Sequence, residues 1–149
     1  MPRFEEVTEE VNEILQEVIE ENFPQLEGAA IKSIFDTKKR KSGNDYTLGR
    51  TKKCSEFEKY LSADNIHPNG YNYFIYLDKN TWSEIPRSDK KRLLFHELCH
   101  MEVDFEKKDP YMTKKHEIEG FHAELEYNKD DPDWGQRLAN IAESIYEKE

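Results

Sequence analysis

Long apolar runs are missing from this 149-residue chain. The longest, Tyr73 to Leu77, has five residues, far short of the ~20 that a membrane-spanning helix needs. No membrane partner is expected. The opening MPRFEEVTEE has no apolar stretch of signal-peptide type. Cysteine is scarce: Cys54 and Cys99 do not make a disulfide framework. Together these absences predict a cytoplasmic protein with reduced thiols. No Gly/Ser-rich or Pro-rich linker divides the chain and no repeat is visible. Its length is one domain's worth on the usual scale of ~100–200 residues, so a single domain over 1–149 is expected. Positive charge is also short: 22 Lys and Arg face 32 Asp and Glu, a net charge of −10. That argues against a general nucleic-acid binder.

What is present is unevenly spread. Residues 1–30 hold nine Glu against one Arg, whereas residues 38–53 gather Lys38, Lys39, Arg40, Lys41, Arg50, Lys52 and Lys53 against one Asp. The basic segment reads either as a solvated loop and strand edge or as a local anion or nucleic-acid contact. Val, Ile, Leu and Phe make up about a fifth of the chain, just above the roughly 20% below which disorder is the default. The core is therefore small and leans on eight Tyr and two Trp.

Hydrophobic spacing gives the elements. Val7, Val11, Ile14, Leu15, Val18 and Ile19 mark an acidic N-terminal helix over about 3–22, stopped by Pro24. Residues 29–36 and 45–51 read as short strands that could form a hairpin about Ser42-Gly43-Asn44, and 54–62 as a short helix or irregular. Residues 71–78, YNYFIYLD, are the clearest strand. Ser88 is a good N-cap for a helix carrying Leu94, Leu98, Met101 and Phe105 on one stripe to about 105. A second helix is expected over 114–128 and a last one over 132–147. The fold class is α+β: a short antiparallel or mixed sheet against helices.

His96-Glu97-Leu98-Cys99-His100 fits the pattern H-E-x-x-H. Residues four apart share a helix face, so both imidazoles can reach one zinc ion. Glu97 can then approach a water on that ion, whose pKa zinc lowers toward ~7. A catalytic zinc needs a third protein ligand and one open position. The metzincin pattern would place Gly at 103 and His at 106, but Val103 and Glu106 stand there. Two candidates remain. His116 follows His100 after 15 residues, and Glu119 lies one helical turn further. Glu119 could be the ligand itself or could accept the other N–H of His116. His122 points elsewhere, and His67 sits in an exposed turn. Cys99 and Cys54 read as small buried hydrophobes.

The stretches FIYLDKNTWSEI, KKRLLFHELCHMEVD and KKHEIEGF, with the earlier YTLGRTKK, resemble the putative phage metallopeptidase family. The likeness covers roughly 45–125 and, more widely, looks like a SprT-type zincin. It implies a small zincin-like fold, a Zn2+ cofactor, His96, His100 and His116 as metal ligands and Glu97 as general base. It also implies host cytoplasm for a phage-encoded protein. The chain departs from the family pattern at Glu117 and Gly120.

The expected activity is zinc-dependent hydrolysis of a protein or peptide substrate laid along the 71–78 strand, taken as an edge strand, with Tyr46 or Tyr111 as oxyanion donor. One alternative is a SprT-like protease acting on DNA-associated proteins through residues 38–53. The other is a catalytically silent zinc-binding module, which the intact Glu97 counts against.

Overall fold

The computed structural model describes residues 2–116 and 120–147. In chain order the elements are β1 (Phe4–Glu6), α1 (Glu9–Asn22), a 3-10 turn (Pro24–Leu26), β2 (Ile31–Asp36), β3 (Lys41–Ser42), β4 (Asp45–Tyr46), β5 (Gly49–Lys53) and α2 (Glu56–Ser62). Then follow β6 (Tyr73–Asp78), α3 (Lys79–Trp82), α4 (Arg87–Cys99), β7 (Met101–Val103), β8 (Tyr111–Thr113), α5 (His122–Tyr127) and α6 (Trp134–Tyr146). The class is α+β, as expected: a small mixed sheet and two short hairpins with helices. Among the described residues, no helix is long and apolar enough to cross a membrane.

The main sheet runs β1-β2-β6-β5. β2 and β6 are parallel (Ile31 opposite Tyr73), and the outer pairs are antiparallel. Segments 29–36 and 45–51 therefore do not pair with each other; each flanks β6. The hairpin in this region is smaller, β3 with β4, turning at Gly43 with φ 66°. The strand taken as an edge is interior, because β6 alternates Tyr73, Ile75 and Leu77 into the core at 0% exposure and so packs best between two neighbours. The sheet edge beside the later helices belongs to β5.

The N-terminal helix begins at Glu9 rather than near residue 3, because the chain first pairs as β1 with β2. Arg3 fastens that pairing, donating from Nε and Nη2 to the two carboxylate oxygens of Asp36 at 2.9 and 3.1 Å. α1 buries Val11, Ile14, Leu15, Val18 and Ile19 against α4 and keeps its glutamates outward. Each such burial is worth about 1.5–3 kcal/mol.

α4 is covered on several sides, so its buried set includes Asp89, Arg92 and Glu97 as well as Leu94 and Leu98. Asp89 is fully buried and accepts from Nε of Arg137 at 2.9 Å and from Nη1 of Arg92 at 3.3 Å. Arg137 also holds Asp131, so this network fastens α6 and the segment before it onto α4. The helix starts at Arg87 with Pro86 as its cap, one residue before Ser88, and stops at Cys99 rather than near 105. Met101 is buried as expected, but on strand β7, and Phe105 is 69% exposed. The helix expected over 114–128 is likewise replaced: β8 ends at Thr113, a stretch without regular structure reaches His116, and α5 opens only at His122. The expected 132–147 helix is α6. Cys54 and Cys99 are both buried, and Cys99 belongs to the hydrophobic core. Burial pushes the Cys54 thiol up to about 11, leaving it unreactive.

Candidate metal centre

His96 lies in the last turn of α4 and His100 is its C-cap, still helical at φ −72° and ψ −15°. One turn therefore separates them on one face. β7 and β8 pair antiparallel, from Met101 opposite Thr113 to Val103 opposite Tyr111. The chain thus returns to its starting point, and Lys114 N donates to His100 O at 2.7 Å. Two residues later His116 stands over the pair.

The ligand atoms of His96, His100 and His116 lie within 4.8 Å of one another. Nε2 of His96 and Nε2 of His116 are 3.1 Å apart. Two nitrogens held about 2.0–2.1 Å from a tetrahedral zinc would be about 3.3–3.4 Å apart, so the cage has the right size. The tautomers fit as well. Nδ1 of His96 donates to Oε1 of Glu124 at 2.8 Å, and Nδ1 of His100 donates to the Lys114 carbonyl at 2.8 Å. Each bond leaves an Nε2 lone pair for a metal. Burial holds His100 and His116 below the ordinary imidazole pKa, favouring the neutral form that binds metal. Burial acts in the same direction on His96, but the hydrogen bond to Glu124 and the charge of Glu97 outweigh it and raise its pKa.

All three rings rest on Phe121, with ring centroids 4.9–5.5 Å apart. Phe121 is 1% exposed, and its N–H donates to the same Glu124 oxygen that accepts from His96. Neither Phe121 nor Glu124 was foreseen. The signal that could have found Glu124 is its place three residues after Phe121 at the mouth of α5, where a carboxylate reaches back to a free N–H. Glu119 lies outside the described residues.

Glu97 is 3% exposed and turns toward β5. The Thr51 hydroxyl lies 2.8 Å from its Oε1, to which it donates, and 3.0 Å from its backbone carbonyl. A Cβ on Gly49 would stand 2.8 Å from Oε2, so the missing side chain makes room for the carboxylate. Burial raises the Glu97 pKa, against the opposing pull of His96 and Thr51.

Two clefts meet at this cluster. One, of about 640 Å³, is lined by Tyr46, Leu48, Gly49, His96, Glu97 and Trp134 among others. The other, of about 530 Å³, is lined by Thr51, His100, Thr113, Lys114, Lys115 and His116. β5 passes from the first, at Gly49, to the second, at Thr51. Tyr46 lines the larger cleft, while Tyr111 packs edge-on against Tyr73 and lines neither. His67 is half-buried against the Tyr71 ring, and His122 is the first residue of α5.

The family profile described as "Putative phage metallopeptidase" matches residues 3–146. The chain belongs to that family. The match extends beyond 45–125 to the acidic helix α1 and to α6, so both are part of the family's unit. Comparison with curated proteins gives no match. The phage metallopeptidase assignment implies a metal ion, and the three imidazoles supply a place for one.

Proposed function

We propose that this phage metallopeptidase is a zinc-dependent endopeptidase of the H-E-x-x-H type. His96, His100 and His116 hold the metal and Glu97 is the general base. The observation that carries the reading is the convergence of three imidazoles, two with their Nδ1 already bonded, beside a buried carboxylate on the same helix. When bound, zinc supplies Lewis acidity that lowers the pKa of a water toward ~7 and polarises a peptide carbonyl. Glu97 takes the proton of the attacking water and returns it to the leaving amine. Thr51 and Gly49 keep its carboxylate in place. The substrate runs extended along the edge strand β5, where main-chain pairing gives affinity and the two clefts take side chains from either side of the scissile bond. Of the two tyrosines considered as oxyanion donors, Tyr46 lines the larger cleft, with its hydroxyl hydrogen-bonded to Glu147.

The test is cleavage of a peptide mixture by zinc-loaded protein. Wild type should cleave with about one zinc per chain. Glu97→Gln should keep the zinc and the fold but lose roughly 10²–10⁴ in rate. The His96→Ala/His100→Ala double variant should lose the metal. Undiminished turnover in Glu97→Gln would sink the mechanism, and stoichiometric zinc in the double variant would sink the site. A transition-state-analogue hydroxamate should bind the zinc-loaded protein; a silent four-ligand module would refuse it.

One observation favours a second reading of the partner. Lys38, Lys39 and Lys41 are exposed at and beside the β3–β4 hairpin, whose Tyr46 reaches the larger cleft. A SprT-like protease acting on DNA-bound proteins would contact DNA there. Replacing these three lysines by glutamate should then abolish DNA binding while peptide cleavage persists. Unchanged DNA retention would refute it.

A further inference from the structure

The two clefts that meet at the imidazole cluster differ in charge. Glu97, Glu124 and Asp133 line the larger one. Among the described residues no carboxylate lines the smaller one, which carries Lys114 and Lys115 beside His100 and His116. Both lysines are exposed, and neither forms an ion pair among the described residues. Lys114 is held at the metal centre from two directions. Its backbone N–H donates to the His100 carbonyl at 2.7 Å, and its own carbonyl accepts from Nδ1 of His100 at 2.8 Å. Its ammonium lies 5.5 Å from the centre of the Phe121 ring, against which all three imidazoles pack. Lys115 stands between Lys114 and His116 in the chain, so its backbone is tied to the centre on both sides once His116 holds a metal. The net charge of −10 does not cancel this local field, because salt screens exposed charges beyond ~8–10 Å. A group that enters the smaller cleft meets the two ammonium groups first.

We propose that the smaller cleft is a subsite for a substrate carboxylate next to the scissile bond, read by Lys114 and Lys115. This rests on the peptidase reading above. An ammonium offers three donors and no acceptor. A carboxylate accepts from both lysines, and such charge-assisted bonds are roughly twice as strong as neutral ones. A carboxamide of the same shape keeps one accepting oxygen but loses the charge. A basic side chain meets like charge. An aliphatic side chain gains nothing from either lysine. The larger cleft, with its three carboxylates, has no such preference, so the selection falls on one side of the scissile bond only. The carboxylate has two sources: the side chain of a Glu or Asp within the substrate, or the terminal carboxylate of a chain that ends in the cleft.

Binding separates this proposal from the peptidase reading. Dye-labelled capped peptides carrying Glu, Gln or Lys at each central position in turn are titrated against zinc-loaded Glu97→Gln protein by fluorescence anisotropy. A second set ends at those positions in a free carboxylate or an amide. At one position Glu should bind about fivefold or more tightly than Gln, and Lys more weakly than either. A gain confined to the free-carboxylate set would identify chain ends as the source instead of side chains. In either case the gain should shrink as salt is raised. Lys114→Gln/Lys115→Gln should bring the charged and uncharged peptides within about twofold of each other, with zinc retained. Lys114→Glu/Lys115→Glu should invert the order in favour of Lys. Both lysines are exposed, so neither variant disturbs the core. No binding of any peptide, no gain from a carboxylate in either set, or a gain that persists in Lys114→Gln/Lys115→Gln and so belongs to the metal would overturn the proposal. Carboxylate-selective binding that depends on the lysines, without cleavage by wild type, would leave the subsite standing and remove the peptidase reading. Cleavage with no preference for a carboxylate would do the reverse.

Discussion

Adding one methyl group at Gly49 should disable the proposed general base while leaving the fold and the proposed metal site in place. The backbone there has no positive φ, so alanine is conformationally acceptable. Loss of glycine from a strand should even favour folding by about 0.5–1 kcal/mol. The obstacle is Glu97. The new Cβ would lie 2.8 Å from Oε2, 3.1 Å from Cδ and 3.2 Å from Cγ, whereas unstrained contacts of this kind lie near ~3.5 Å. The carboxylate is the free end of a side chain, so it yields by about 0.5–1 Å rather than the strand, and it gives up the 2.8 Å hydrogen bond from Thr51. A displacement of that size at a reacting group costs on the order of 10²-fold in rate. The assay compares kcat and KM on a fluorogenic peptide with zinc content and thermal midpoint. We expect kcat to fall about a hundredfold, one zinc per chain to remain and the midpoint to hold or rise. Gly49 also lies on the strand that receives substrate, so Thr51→Val is the companion. It adds no bulk and removes the hydroxyl, and it should lower kcat with little change in KM. Full kcat in Gly49→Ala would refute the placement of Glu97 as base. Loss of zinc would show that the methyl acts on the imidazoles instead.

Glu124→Gln removes the charge that orients His96, and loss of such a supporting partner should weaken zinc about 10–100-fold in chelator competition at fixed pH; unchanged affinity would deny Glu124 that role. His116→Ala should empty the site altogether, and retention of tightly bound zinc would point to a different third ligand. Asp89→Asn removes the fully buried one of the two anions that Arg92 and Arg137 share, the other being Asp131, and urea unfolding should show a loss of about 2–4 kcal/mol, discounted from the fully buried case because Arg137 is 41% exposed. For Asp36, burial opposes the charge, but Arg3 and the Lys38 N–H outweigh it and hold its pKa below the ordinary value. Its contribution is therefore present above the unfolded pKa of about 4 and lost as pH falls through the lower folded value. Arg3→Ala should be less stable than wild type at pH 7, with the gap closing in strong acid; a gap that is constant with pH would contradict the pairing.

Local periodicity found the parts of the fold that local contacts decide. α1 was legible because its five buried residues repeat at helical spacing against an unbroken glutamate face. β6 was legible because aromatic and branched residues crowd a short segment between turn formers. The order of strands was not, since β2 and β6 are brought together across an excursion that contains the β3–β4 hairpin, β5 and α2, and nothing in 45–51 says that it pairs with 71–78 rather than with 29–36. The end of α4 was misread for a specific reason. Met101 satisfies the helical stripe of Leu94 and Leu98, and it also points inward from strand β7, so one buried position served two periodicities. The helix expected over 114–128 rested on the spacing of Ile118, which lies outside the described residues, Phe121 and Leu125. Phe121 is buried as the floor of the imidazole cluster and Leu125 is 63% exposed, so these two do not share one buried helical face.

The early stop of α4 is what builds the site. Had the helix continued to 105, His100 would have kept its turn above His96, but the chain would have left the metal centre along the helix axis at about 1.5 Å per residue. Ending at Cys99 lets β7 depart at once and β8 return antiparallel, so the 15 residues between His100 and His116 are spent on a hairpin whose ends meet. The closure is two-sided: Lys114 N donates to His100 O, and Nδ1 of His100 donates to Lys114 O. The same residue therefore closes the hairpin, fixes the His100 tautomer and sets His116 two positions on. An H-E-x-x-H pattern specifies two ligands and a base because these depend only on helical geometry. The remaining groups, His116, Glu124, Phe121, Thr51 and Gly49, come from three other segments: β5, the stretch after β8, and the start of α5. Their identity follows from strand register and chain return, which are properties of the folded chain rather than of any window of the sequence.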